Sequence, residues 1–199
     1  MAATSAASYA GPISITGSLN LASFPFTAQS TLTASGSNGR IFVQNAAAAL
    51  TVNGNASFDG GDNSGYFTTG LLEFKGNLTV NSTQTSRAFA TPATVTTRFS
   101  GSALQTVTFA AGATLSTLGS NDVGATANVQ AVGNILVTGT MSQKNLFTVP
   151  VGSTFTVTGM LSLFPSTTTT INGTLVRNGG CTNLGGATLT GAGTYTACP

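Results

Sequence analysis

Residues 50–61 read LTVNGNASFDGG, and residues 72–82 read LEFKGNLTVNS: in both, apolar and polar residues alternate up to a Gly-Asn pair and alternate again beyond it. Alternation with period two puts every second side chain on one face of an extended chain, so each arm is a short strand with one face to bury. A glycine between the arms either takes a positive φ or lets another backbone pass close by, and it marks a bend. A chain built from such units must cover one row of each unit with its neighbours, which leaves few folds open to it.

The pattern recurs around bend glycines Gly17, Gly54, Gly76, Gly133, Gly159 and, in a frayed copy, Gly173. The flanking residues expected inside are Ile15, Leu19, Val52, Phe58, Phe74, Leu78, Val80, Ile135, Val137, Val157, Leu161 and Leu175. Intervals between these glycines are irregular, and the shortest, from Gly54 to Gly76 and from Gly159 to Gly173, resemble one turn of a parallel coil. Longer intervals hide further strands, visible at residues 40–45 (RIFVQN), 93–101 (ATVTTRFSG), 104–118 (LQTVTFAAGATLSTL) and 146–157 (LFTVPVGSTFTV). The one run of helix formers, residues 46–50, is too short to stand alone.

Self-similarity at about 20 residues is the mark of stacked coils, each burying its inward row on the next. The expected fold is therefore all-β: a right-handed parallel β-solenoid with irregular coils. An antiparallel sandwich is the competing arrangement of so many short strands. Residues 1–11 read as an Ala/Ser arm, 12–178 as the solenoid and 179–199 as a C-terminal cap, with 59–69 (DGGDNSGYFTT) as an outward loop.

Composition narrows the function. Charged residues are 5% of the chain, against about 25% in an ordinary domain. The six basic residues, Arg40, Lys75, Arg87, Arg98, Lys144 and Arg177, are scattered, so the clustered phosphate contacts that nucleic-acid binding requires are missing. No run of about 18 apolar residues exists to span a bilayer as a helix. The two cysteines, Cys181 and Cys198, lie close together and read as one disulfide of an oxidising compartment, contributing roughly 3 kcal/mol.

Three segments in order between residues 50 and 110, LTVNGNASFDGG, GLLEFKGNLTV and RFSGSALQTVTFA, resemble repeat modules of large secreted bacterial surface proteins. The later VPVGSTFTVTG, TTTTINGTLVRNGG and LTGAGTYTA are similar to β-solenoid passenger regions of adhesins and autotransporters. The resemblance implies an extracellular, structural or adhesive role, and it brings no catalytic residues with it.

Catalysis has little to draw on. Four carboxylate side chains are present, Asp59, Asp62, Glu73 and Asp122, and histidine is absent, which removes the usual base for a Ser or Cys nucleophile and the usual zinc ligand. Asp59 and Asp62 are close enough in sequence to approach each other, yet with Asn63 they lack the spacing and bidentate Glu of a calcium loop and read as a solvated turn. Glu73 and Lys75 read as a solvated pair on one outward face. The expectation is a non-enzyme with no metal and no cofactor.

Two non-catalytic roles remain in view. Outward Ser14, Thr16, Asn20, Thr51, Asn53, Ser57, Thr79, Thr156, Thr158, Ser162, Thr170 and Asn172 should stack at about 4.8 Å into a neutral, hydroxyl-rich face. The first role is a structural or adhesive surface module that self-associates or abuts a neighbouring module, filament-forming through its N-terminal end, where an open coil exposes strand edges. The second is ice binding by Thr and Ser rows, with interruptions expected from Glu73, Lys75, Gln130 and Val132; a virion fibre or decoration protein is a further alternative.

Overall fold

A computed structural model describes residues 4–92, 94–110 and 127–198. Among them there is no helix, and every named strand pairing is parallel. The first coil holds β1 (Ala7–Tyr9), β2 (Ile13–Ile15) and β3 (Ser18–Asn20), and the second β4 (Pro25–Ala28), β5 (Leu32–Ser35) and β6 (Arg40–Phe42). Three coils follow with β7 (Ala49–Val52) and β8 (Ala56–Asp59), β9 (Gly70–Phe74) and β10 (Leu78–Val80), and β11 (Val95–Phe99) and β12 (Leu104–Phe109). Next comes β13 (Asn128–Val137), then β14 (Met141–Gln143), β15 (Phe147–Val149) and β16 (Thr154–Val157). The last two coils hold β17 (Leu161–Leu163), β18 (Thr168–Ile171) and β19 (Thr174–Arg177), and β20 (Cys181–Asn183) and β21 (Thr188–Thr190).

The result is a β-solenoid of about eight turns with three faces. One face runs without a break through nine strands, β2-β5-β8-β10-β12-β13-β15-β18-β21. The face that precedes it along each coil is made of β1-β4-β7-β9-β11 and, further on, β14-β17-β20; the face that follows it is made of β3-β6 and then β13-β16-β19. Parallel pairing needs a long return connection, and here the other two sides of the coil supply it in place of a helix.

Register fixes the turn length. Down the unbroken face Ile13 pairs with Leu32, which pairs with Ala56, then Leu78, Val107 and Ala131; Val129 pairs with Phe147, then Thr169 and Leu189. The shortest of these steps runs from Val129 to Phe147 and the longest from Leu78 to Val107. The Gly-centred motif therefore marks corners, not turns. Gly54 and Gly76 occupy the same corner of successive coils, and their spacing is one true turn. Gly17, Gly133 and Gly173 occupy the next corner, and Gly159 the third. The interval from Gly159 to Gly173, expected to resemble a turn, covers only two faces.

The corner glycines are required chiefly by close approach. A Cβ on Gly76 would lie 2.4 Å from the Gly54 carbonyl oxygen, and one on Gly159 2.4 Å from that of Gly139. Only Gly133 among the six adopts a positive φ, +88°, where β13 bends from one face to the next. Each such Cβ points at the preceding coil, so Gly17, in the first coil, would meet nothing within 4 Å. The asparagine beside the glycine has its own task. Asn55 Oδ1 accepts the Asn77 backbone N–H at 2.9 Å, and Asn77 Oδ1 accepts that of Thr106 at 2.8 Å, a ladder joining three coils at one corner. Gly-Asn repeats because one residue lets the coils close and the next ties them.

All twelve residues expected inside lie in one continuous core. Two expected boundaries change. The arm is part of the fold: β1 pairs in register with β4, Tyr9 opposite Ala28, so the solenoid starts within residues 1–11. The cap from residue 179 is likewise a turn of the solenoid, β20 stacking on β17 and β21 on β18. Residues 59–69 do not form an outward loop. Asn63 and Phe67 are fully buried, because the wide coil here leaves interior volume that a strand alone cannot fill. Ala93, the part of 104–118 beyond residue 110, Asp122 and Pro199 lie outside the described residues.

Candidate functional site

The first coil leaves an apolar mouth. In the described residues β1, β2 and β3 each pair on one side only, with β4, β5 and β6. Tyr9 heads the inward column that continues through Ala28, Val52, Phe74 and Phe99, yet it is 54% exposed, with no described coil over it. With Ile13, Ile15, Leu19 and Phe26 it lines a cavity of about 560 Å³. The side chains that line it are uncharged, and Arg40 on the next coil pairs with one of them, Ser18.

The opposite end is tied down by its own residues, although Leu184 is 48% exposed there and, among the described residues, β20 and β21 also pair on one side only. Cys181 and Cys198 form the expected disulfide, their Cα atoms 5.5 Å apart. Arg177 donates from Nη2 to the carbonyls of Thr196 and Ala197, both at 3.0 Å, drawing the last segment across the coil. Leu189, Tyr195 and both cysteines pack against the core.

The unbroken face is the second candidate surface. Its outer rows run Ser14, Thr33, Ser57, Thr79, Thr108 and Val132, and Thr106, Gln130, Thr148, Thr170 and Thr190. A shorter row ends in Thr168 and Thr188, whose hydroxyls are 3.3 Å apart. The outward residues expected to share one face are in fact divided: Ser14, Ser57, Thr79 and Thr170 lie here, Thr51 and Ser162 on the preceding face, Asn20 and Thr156 on the following one, and Thr16, Asn53, Thr158 and Asn172 at corners. Glu73 belongs to β9 on the preceding face, and Lys75 to the corner after it, so neither interrupts the rows; Gln130 and Val132 do.

The described carboxylate side chains, Asp59, Asp62 and Glu73, are dispersed among local partners. Asp59 accepts the Thr83 hydroxyl on both oxygens at 2.6 Å and the Thr83 N–H at 3.1 Å. Asp62 accepts the Ser64 N–H at 2.8 Å and faces Arg87 at 3.6 Å. Burial acts to raise the Asp62 pKa, but the Ser64 hydrogen bonds and the charges of Arg87 and Arg40 together outweigh it and hold the carboxyl below its ordinary value. Glu73 does not form the expected pair with Lys75: it accepts hydroxyls from Ser100 at 2.7 Å and Thr51 at 3.3 Å, on the coils to either side. Lys75 has left the strand and is exposed.

Asn63, a candidate ligand in sequence, is consumed by the backbone. Its Oδ1 accepts the Ile41 N–H at 3.0 Å, and its Nδ2 donates to the Ala88 carbonyl at 2.8 Å, bridging coils on both sides. Sequence reasoning missed a second such amide, Gln105, which accepts the Gly101 N–H and donates to the carbonyls of Phe74 and Gly76. Its inward phase in the alternation of LQTVTF was the available signal. Among the described residues no three His, Cys, Asp or Glu side chains gather as a metal group. No protein-family model, curated protein or solved structure matches the chain.

Proposed function

We propose that the chain is a non-catalytic, extracellular structural or adhesive β-solenoid module that associates with a second copy or a neighbouring module through its amino-terminal end. One observation carries the reading: the apolar mouth around Tyr9, Ile13, Ile15, Leu19 and Phe26 in the first described coil. Solenoids cap such an end or stack it, since it combines unpaired strand groups with uncovered core. The disulfide is compatible with an oxidising location, and no helix among the described residues is long and apolar enough to cross a membrane.

Among the described residues the dispersed carboxylates Asp59, Asp62 and Glu73 support the non-catalytic part, each being engaged by a hydroxyl, a backbone N–H or an arginine with no shared substrate position. Light scattering and negative-stain electron microscopy of the intact chain over a concentration series test the association. Assemblies joined at solenoid ends are expected; a chain that stays monomeric at every concentration overturns the reading.

A second reading, ice binding on the unbroken face, gains from one observation: Glu73 and Lys75 lie off the hydroxyl rows. Freezing-point hysteresis that a Thr148→Lys/Thr170→Lys double variant abolishes would support it, and no hysteresis at high protein concentration would remove it.

A further inference from the structure

Four Asn-Gly pairs occur in the chain, at Asn38-Gly39, Asn53-Gly54, Asn172-Gly173 and Asn178-Gly179. Glycine has no Cβ, so after asparagine it leaves the next backbone nitrogen unshielded, and that nitrogen is the atom able to attack the asparagine side chain. By sequence the four pairs are alike. The structure separates them, and we propose that Asn178 is a site of spontaneous covalent modification, the asparagine through which the folded chain forms a succinimide and then isoaspartate.

In three of the pairs the attacking atom is occupied. Gly39 N–H donates to the Gly36 carbonyl at 3.0 Å, Gly54 N–H to that of Ser30 at 3.2 Å and Gly173 N–H to that of Val149 at 3.0 Å. Two of these asparagine side chains are engaged as well: Asn53 Nδ2 donates to Gln29 Oε1, and Asn172 Oδ1 accepts the Ala192 N–H at 3.4 Å. Among the described residues neither the Gly179 N–H nor the Asn178 side chain has a hydrogen-bond partner, whereas Gly159, at the same corner one coil earlier, donates to the Gly139 carbonyl at 3.1 Å. Asn178 and Gly180 are exposed, so water and base reach the pair.

The chemistry needs only water. A base takes the Gly179 amide proton, the nitrogen bonds to Asn178 Cγ, and the Cγ–Nδ2 bond breaks to release ammonia, leaving a cyclic imide. Water then opens the ring: attack at Cγ leaves the normal main chain with an aspartate side chain, and attack at the backbone carbonyl routes the main chain through Cγ as isoaspartate. Either product carries a carboxylate where a neutral amide stood. Isoaspartate also lengthens the main chain between β19 and β20 at a corner without slack, since a Cβ on Gly179 would already lie 2.2 Å from the Gly159 carbonyl oxygen. The strand whose pairing it disturbs is β20, on β17.

The four sites in one molecule control one another. The full chain is aged at neutral and at mildly alkaline pH, folded and in urea; peptide mapping by mass spectrometry follows each asparagine, and enzymatic methyl transfer counts isoaspartate. A backbone hydrogen bond that must first open slows the attack, so in the folded chain Asn178 should react at least about fivefold faster than Asn38, Asn53 and Asn172. Its rate should rise with pH, because the nitrogen must lose its proton, and in urea the four rates should converge. A folded chain in which another pair keeps pace with Asn178, or in which none of the four reacts, overturns the proposal. So does a lead for Asn178 that persists undiminished in urea, which would place its cause in the neighbouring residues and not in the fold.

Discussion

Between Phe58 and Phe109 six phenylalanine rings fill the solenoid, whereas from Ile135 onwards the core holds aliphatic residues and one Phe147–Phe155 pair. In the first region Phe89 lies within 6.2 Å, centroid to centroid, of Phe58, Phe67, Phe74 and Phe109. Both regions bury polar side chains, Asn63, Thr91, Thr97 and Gln105 in the first and Gln143, Ser153, Thr167 and Thr169 in the second. Turn length differs between the two, except that the step from Phe147 to Thr169 equals that from Ala56 to Leu78. On the unbroken face the steps from Ala56 to Leu78 and from Leu78 to Val107 are longer than those from Val129 to Phe147 and from Thr169 to Leu189. A longer perimeter encloses a wider interior, which native packing density obliges the chain to fill, and Phe67 and Phe89 come in from outside the strands to do so. The narrower coils have room for smaller groups, and two of their inward hydroxyls find backbone partners: Ser153 Oγ accepts the Gly133 N–H at 3.0 Å, and Thr167 donates to the Phe164 carbonyl at 2.8 Å.

Four measurements break or sharpen this contrast. Phe89→Ala removes the hub of the aromatic cluster and is expected to lower the unfolding free energy by about 4 kcal/mol in urea titration; a loss below about 2 kcal/mol would mean that the wide coils do not depend on their rings. Reduction of Cys181–Cys198, whose members are 17 residues apart, should cost about 3 kcal/mol, confined to the carboxyl end because each coil contacts only its neighbours. Hydrogen exchange should then speed up in β20 and β21 while β8 and β10 stay protected. Equal loss in both regions would make the two halves one cooperative unit.

Asn63→Leu keeps the size of the side chain but strands the Ile41 N–H and the Ala88 carbonyl, at an expected cost of about 2 kcal/mol. Thermal denaturation of this variant beside Asn63→Asp, which retains an acceptor for Ile41, separates the two lost partners. The smallest effect belongs to the narrow region. Thr169 is buried with no partner for its Oγ1, so Thr169→Val should leave stability unchanged or raise it by up to about 1 kcal/mol. A clear loss there would show that inward hydroxyls in the narrow coils hold the structure as the rings do in the wide ones.

Much of the fold was written in local pattern. Alternation placed Val52, Phe58, Phe74 and Leu78 inside because strand periodicity depends only on neighbouring residues, and the proximity of Cys181 to Cys198 announced their bond. What local pattern does not encode is phase between coils. Six similar glycine motifs gave no sign that they occupy three different corners, since any corner imposes the same demand for backbone clearance. The fate of Asn63 and Phe67 was hidden for a related reason: both sit in a segment without alternation, and the volume that draws them inward exists only once the coils are stacked.

The sequence by itself determined strands, bends, the buried row, the disulfide and the scarcity of charge, all of them properties of residues and their near neighbours. Tertiary structure alone decided which outward residues share a face, taking Glu73 and Lys75 off the hydroxyl rows. It also decided which inward residue is left uncovered. Tyr9 carries the same alternation as Ala28 and Val52, and it is exposed because exposure depends on whether another coil stacks above, which no stretch of its own sequence specifies.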